Sequence, residues 1–167
     1  MTVSLTETLR LFHDADDLFD LVSDVRCYPD FIHQITAMRV LREMKTGDVT
    51  ELTAEARIRY KFVTERFTSA VRADGTARTI DVGFVSGPFR VLENNWRFFP
   101  LSDGSTLVKF HIKAAFRNIV LQMLLDSQRE RAAHILVKRF SDEAERRFAT
   151  TGDPALDLRD EIDALTQ

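Results

Sequence analysis

One cysteine, Cys27, serves the whole chain of 167 residues. That excludes an internal disulfide and a multi-cysteine zinc site, and it fits a reducing compartment. The opening MTVSLTETLR lacks the basic stretch and long apolar core of a secretory leader. No run approaches the ~18 apolar residues that cross a bilayer. The expectation is a cytoplasmic protein, with any membrane contact peripheral, at the inner membrane. Charge of one sign is also in short supply: the formal net charge of −3 gives no global reason to expect a nucleic-acid partner, and none to expect DNA. No Gly-rich phosphate loop occurs. His13, His33, His111 and His134 show no metal-ligand spacing, so neither metal nor cofactor is expected. Polar aromatics are scarce as well, with 2 Tyr and 1 Trp beside 13 Phe, which leaves an aromatic surface almost without polar handles.

What is present is a change of periodicity. Residues 2–11 alternate Val3, Leu5, Leu9 and Leu11 with polar neighbours, as a half-buried strand does. Asp14 and the acids behind it supply a cap and an acidic first turn for a helix over 15–25, with Ala15, Leu18, Phe19, Val22 and Val25 on one face. Tyr28-Pro29-Asp30-Phe31 reads as a second short helix, Pro29 in its permissive first turn. From residue 35 the period becomes two, giving strands over 35–45, 49–59, 61–73, 76–84, 91–99 and 106–116, linked as an antiparallel meander by Gly- and Asp-bearing turns. No turn residue marks the break near Tyr60. Residues 118–148 hold neither Gly nor Pro and return to helical spacing, with Val120, Met123, Leu124, Ala132, Ile135, Leu136, Phe140 and Ala144 in one stripe. Residues 1–148 thus form one domain, and 149–167 an acidic tail that is either a capped stub after Asp153-Pro154 or disordered. The expected fold class is α+β: a curved antiparallel sheet of about seven strands around a long C-terminal helix, with two short helices after the first strand.

Two stretches carry a family resemblance. Leu18-Phe19-Asp20-Leu21-Val22-Ser23-Asp24-Val25 with Tyr28-Pro29-Asp30-Phe31, and Gly87-Pro88-Phe89 with Leu92, Asn94, Trp96 and Phe98, resemble the coenzyme Q-binding START-domain family of the helix-grip, polyketide cyclase-like superfamily. The terminal helix matches more loosely, through Leu121, Leu124 and Phe140. The resemblance implies a non-catalytic carrier of ubiquinone or a related isoprenoid lipid, held between helix and sheet and supporting respiratory electron transport. It equally covers bacterial relatives described as ribosome-association toxins, which implies the alternative of a protein that binds the large ribosomal subunit. The superfamily also holds cyclases and hydratases.

Strand parity gathers candidate ligand-binding residues on one face: Leu92, Asn94, Trp96, Phe98, Phe110 and Phe116, with Phe62, Phe67 and Phe84 contributed by the earlier strands, where parity around 60–63 stays open, and Phe89 added by the motif it belongs to. Phe31 joins them from the second short helix, and Met123, Leu124 and Gln128 from the long one. The row either fills a solid core or walls a hollow. Asn94, on the inward row, either bonds nearby backbone or donates to a quinone carbonyl; Gln128 is either a solvated edge residue or a second donor. On the hollow reading, Trp96→Ala weakens ligand binding more than folding. The inward rows hold no clear carboxylate or histidine, so no catalytic residue is assigned. The ribosome alternative would use Arg129, Arg131, Lys138, Arg139, Arg146 and Arg147, diluted by the acids interleaved on the same helix.

Overall fold

The computed structural model describes residues 2–167. Strand β1 (Val3–Leu11) leads to helix α1 (Ala15–Ser23), a 3-10 turn at Val25–Cys27 and the short α2 (Tyr28–Phe31). The meander follows as β2 (Ile35–Thr46), β3 (Val49–Tyr60), β4 (Val63–Asp74), β5 (Thr79–Ser86), β6 (Phe89–Pro100) and β7 (Thr106–Phe116), before α3 (Ile119–Arg147) and α4 (Arg159–Thr166). The sheet order is β1-β7-β6-β5-β4-β3-β2, every neighbour antiparallel. This is the expected curved sheet gripping one long helix.

Local chemistry sets the boundaries. Asp14, in extended backbone, accepts from the amides of Asp16 and Asp17 and so starts α1. Asn118 does the same for Val120 and Leu121 at the head of α3, and Arg146 and Arg147 complement the helix dipole at its foot. The free edge strand β2 carries two register shifts and a charged outer row, which discourages pairing with another chain. Several boundaries differ from expectation; β5 runs on to Ser86 past 84, and β6 starts at Phe89 before 91. Helix α1 stops at Ser23, short of residue 25. Strand β5 starts at Thr79 rather than 76, because Asp74 accepts from the amides of Thr76 and Ala77 and holds them in a turn. Strand β4 starts at Val63 because Tyr60 pairs with Val63 around a two-residue turn in which Lys61 takes φ +55°.

The main core lies between the sheet, α1, α2 and the lower half of α3. Trp96, only 4% exposed, packs against Phe98, Phe110 and Phe140, the last with ring centres 5.1 Å apart. Phe19 of α1 meets Phe98 edge-on, and Tyr28 and Phe31 meet Phe140 the same way. Beside this core sits a smaller cluster of Phe89, Leu92 and Ala114, with Phe67, Phe84, Phe116 and Leu125 against it.

The tail docks on the body. Thr151 donates its amide to the Phe12 carbonyl at 2.9 Å, Asp153 donates its amide to Asp103, and Arg10 donates to the Leu156 carbonyl. Ser102 is bound by both oxygens of Glu161 in α4. At the centre Arg10 and Asp103 form an ion pair at 2.6 Å. The Ser105 hydroxyl, the Asp153 amide and Arg10 together hold the Asp103 carboxyl well below the usual carboxylate range. Gly152, at φ +82°, is needed there: a Cβ would lie 2.8 Å from both Asp103 Oδ2 and Ser105 Cβ.

Candidate functional site

Antiparallel pairing puts the Tyr60–Val63 turn, the Ser86–Phe89 turn, the start of β1 and the β7–α3 junction at one end of the sheet. Beneath α3 at that end lies a cavity of about 340 Å³. Its sheet wall comprises Val3 and Leu5 of β1, Ile112, Ala114 and Phe116 of β7, Ile58 and Tyr60 of β3, and Val63 and Glu65 of β4. Ile32, Gln34 and Ile35 close one side, and α3 roofs it with residues from Leu121 to Arg139.

The hollow exists because of which rings associate. Phe89 stacks on Phe116 with centres 4.5 Å apart and meets Phe67 and Phe84 edge-on, so four phenyl rings gather among themselves. Gly87 makes this possible. At φ +135° its Cβ would sit 2.6 Å from Phe67 Cβ, so only glycine lets the β5–β6 turn approach β4. Apart from Tyr60 and a few polar residues, the remaining wall positions carry short or aliphatic side chains.

The cavity's polar groups are few and unmatched. The side chains of Gln34, Glu65, Gln128 and Arg139 make no hydrogen bond or ion pair among the described residues. Arg139 Nε is buried with no partner. A buried donor in that state costs about 1–3 kcal/mol, which an acceptor oxygen on a ligand would recover.

Of the sequence-predicted residues, Phe116, Leu124 and Gln128 line the cavity. Phe67, Phe84, Phe89 and Leu92 form the adjoining cluster. Trp96, Phe98 and Phe110 belong to the solid core, and Phe31 packs on Tyr28 and Phe140. Asn94 is fully engaged: its amide donates to the His111 carbonyl at 2.8 Å and its oxygen accepts from Trp96 Nε1 at 2.9 Å. Asn94 therefore has the backbone role, and the Asn94–Trp96–Phe98 row of β6 fills a core instead of walling the hollow. Phe62 and Met123 point outward, 79% and 64% exposed. Phe62 occupies the turn, so the inward frame of β4 is Val63, Glu65 and Phe67. At its start α3 is apolar on more than one face, which leaves Leu121 inside and Val120 and Met123 outside.

Sequence reasoning missed Val3, Leu5, Leu121, Leu125, Glu65 and Arg139. Arg139 carried a signal, a charge on the Ile135–Leu136 side of an otherwise apolar stripe. Glu65 is the one carboxylate on the wall, where parity had placed none. The thiol of Cys27 is pushed up to about 11, mainly by burial, so it is a poor nucleophile near neutral pH. Tyr28, buried and donating to the Val22 carbonyl, is raised as well.

A family model described as polyketide cyclase / dehydrase and lipid transport matches residues 12–141. A protein named ribosome association toxin RatA from Rickettsia prowazekii is 31% identical over 85% of this chain and 96% of its own. The one from Escherichia coli K12 is 26% identical over 82% and 84%. Among solved structures, the 18 kDa protein CC1736 from Caulobacter crescentus is 38% identical, covers 86% of this chain and 96% of its own, and superposes with a TM-score of 0.72. The ZhuI aromatase/cyclase from Streptomyces, at 17% identity and TM-score 0.75 over 88% and 96%, shares the fold.

Proposed function

Because the chain belongs to the polyketide cyclase / dehydrase and lipid transport family, we propose that it is a non-catalytic binding protein whose cavity takes ubiquinone or a related isoprenoid lipid. The observation that carries this is an apolar hollow whose wall holds one guanidinium with a buried, unpartnered Nε. A volume of 340 Å³ is at the lower end of the ~300–1,000 Å³ of small-molecule pockets. It suits a head group and the first prenyl units, with a longer tail leaving through the mouth. At ~0.8 kcal/mol per buried CH₂, each five-carbon unit contributes roughly 3–4 kcal/mol gross. A few units offset the association cost of ~4–15 kcal/mol. Arg139 and Gln128 then orient the head by donating to its oxygens. Catalysis has little to draw on, since Glu65 stands alone without a histidine or second acid beside it.

The test is lipid extraction from natively purified protein by mass spectrometry, with titration of a short-chain ubiquinone. Leu124→Trp fills the cavity and should abolish saturable binding while the chain stays folded. Arg139→Met should weaken it about tenfold. Absence of saturable binding by any quinone or prenyl lipid would reject the reading.

The relatives' names favour a second reading, association with the ribosome, expected on the large subunit. Part of the helical cation cluster is already matched: Lys138 to Asp142, and Arg146 and Arg147 to Glu143. Binding would fall to unpaired cations such as Arg129 and Arg131. Salt-sensitive co-sedimentation with ribosomal subunits supports this reading, and its absence at low salt removes it.

A further inference from the structure

Among the described residues, six of the nine large apolar side chains that stand exposed lie at the cavity end of the molecule: Tyr60, Phe62, Val85, Ile119, Val120 and Met123. Singly such residues are ordinary; gathered around one opening they mark a contact surface. Phe62 projects from the tip of the β3–β4 turn, and Ile119, 76% exposed, from the first turn of α3. The turn keeps Lys61 in the left-handed region, a conformation that costs a lysine energy and that persists where something else requires it.

The same end carries Arg59, Lys61, Arg66, Arg90 and Arg117, all exposed. None forms an ion pair among the described residues, although arginines elsewhere pair freely with carboxylates. Lys61 rests over the Tyr60 ring and Arg117 over that of Phe84, each charge set beside apolar surface. Of the acids nearby, Asp126 accepts from Gln122, Glu93 lies opposite Lys113 in the sheet, and Glu65 alone faces the cavity without a partner. The opposite end holds Asp14, Asp16, Asp17 and the acidic tail, whose carboxylates outnumber the Arg10, Arg78 and Arg159 that pair with some of the acids there.

We propose that this end docks on an anionic lipid bilayer, with Phe62, Ile119 and Met123 entering the interface and the surrounding cations meeting headgroups. Unpaired cations interleaved with exposed aliphatic side chains fit that partner, as nucleic acid would match the charge but gain nothing from Ile119 and Met123. The acidic end is repelled by the same surface, which turns the cavity mouth toward the membrane. Among the described residues no helix is long and apolar enough to cross the bilayer, and the proposed contact is interfacial. The proposal rests on the lipid-cavity reading for what is loaded, while the surface stands on its own residues.

The test uses the full chain with vesicles of phosphatidylcholine alone or with about one-third phosphatidylglycerol. Co-sedimentation is expected with the anionic vesicles and should fall as NaCl rises from about 50 to about 500 mM. The double variant Phe62→Asp with Ile119→Asp should lower partitioning roughly a hundredfold, since each inserted side chain is worth about a decade. Removal of each cation, as in Lys61→Gln or Arg117→Gln, should lower it roughly fivefold. Phe62→Trp should be quenched by brominated lipid while the buried Trp96 is not. Binding unaffected by these variants, or no vesicle binding at low salt, overturns the proposal. So does loss, in the same variants, of self-association or of ribosomal co-sedimentation without any vesicle binding. Ubiquinone titration of the variants without vesicles separates the two readings: retained quinone binding with failed docking removes only the surface proposal, and retained docking with no quinone binding removes only the ligand.

Discussion

The two ends of this sheet use similar residues to opposite effect. At one end Trp96, packed on Phe98 and Phe110, reaches across to Phe140 of the helix, and the tail straps the outside through Arg10 and Asp103. At the other end Phe67, Phe84, Phe89 and Phe116 turn toward each other and leave space beneath the helix. Aromatic content therefore does not distinguish a core from a cavity. What distinguishes them is whether the rings bridge the two layers or collect within one.

The comparison can be broken most forcefully at Trp96. Trp96→Ala should lower unfolding stability by ~3–5 kcal/mol in denaturant titration. Ligand binding by the folded fraction should change little, the reverse of what a hollow behind β6 would require. Selective loss of binding at full stability would erase the distinction between the ends. Next comes the strap. Gly152→Ala forces a Cβ against Asp103 and Ser105 at a left-handed position, and should cost about 1–3 kcal/mol, with faster amide exchange across residues 149–167.

A pH titration sharpens the same contrast. Glu143, buried at the foot of α3 in the closed half, is lowered from 4.5 to about 2 by its bonds to Arg146 and then Arg147. A depressed folded value means that its stabilisation is complete above about pH 4.5 and is lost as pH falls toward about 2. Glu143→Gln should lower stability at neutral pH and flatten that part of the acid limb, measured as Tm against pH. The smallest effect belongs to the open end, where Phe62→Ala should leave stability within about 0.5 kcal/mol of the parent. A larger loss would mean that Phe62 supports the fold.

Much of the architecture was legible because it is written in periodicity. The row Val108, Phe110, Ile112, Ala114 and Phe116 faces inward as alternation requires, and the Asp14 cap opens α1 where the acids indicated. The site was less legible for two physical reasons. Lys61 takes a conformation usually left to glycine or asparagine, so the Tyr60 turn had no marker and the frame of β4 slipped by one, exchanging Glu65 for Phe62. Apolar periodicity also reports that a side chain is sheltered without saying what shelters it. Trp96 and Leu124 follow the same rule, yet one meets another ring and the other borders empty space. The family motifs located helix and sheet correctly, and their conspicuous residues proved to be packing devices: Asn94 steadies Trp96, and Gly87 admits Phe67.

Helix α3 rests on two piers. Leu121 and Gln122 bear on the sheet at one end, with the Gln122 side-chain Oε1 accepting from the Phe116 amide, and Ala133 to Ala144 bear on it at the other. Of the ten residues between them none is itself fully buried, and most span the cavity as a beam, with Leu125 touching the phenyl cluster at its edge. The clear width is therefore fixed by the spacing of the supports. Since a helix advances about 5.4 Å per turn, moving one support by a turn would resize the chamber without altering a residue of the Trp96 core.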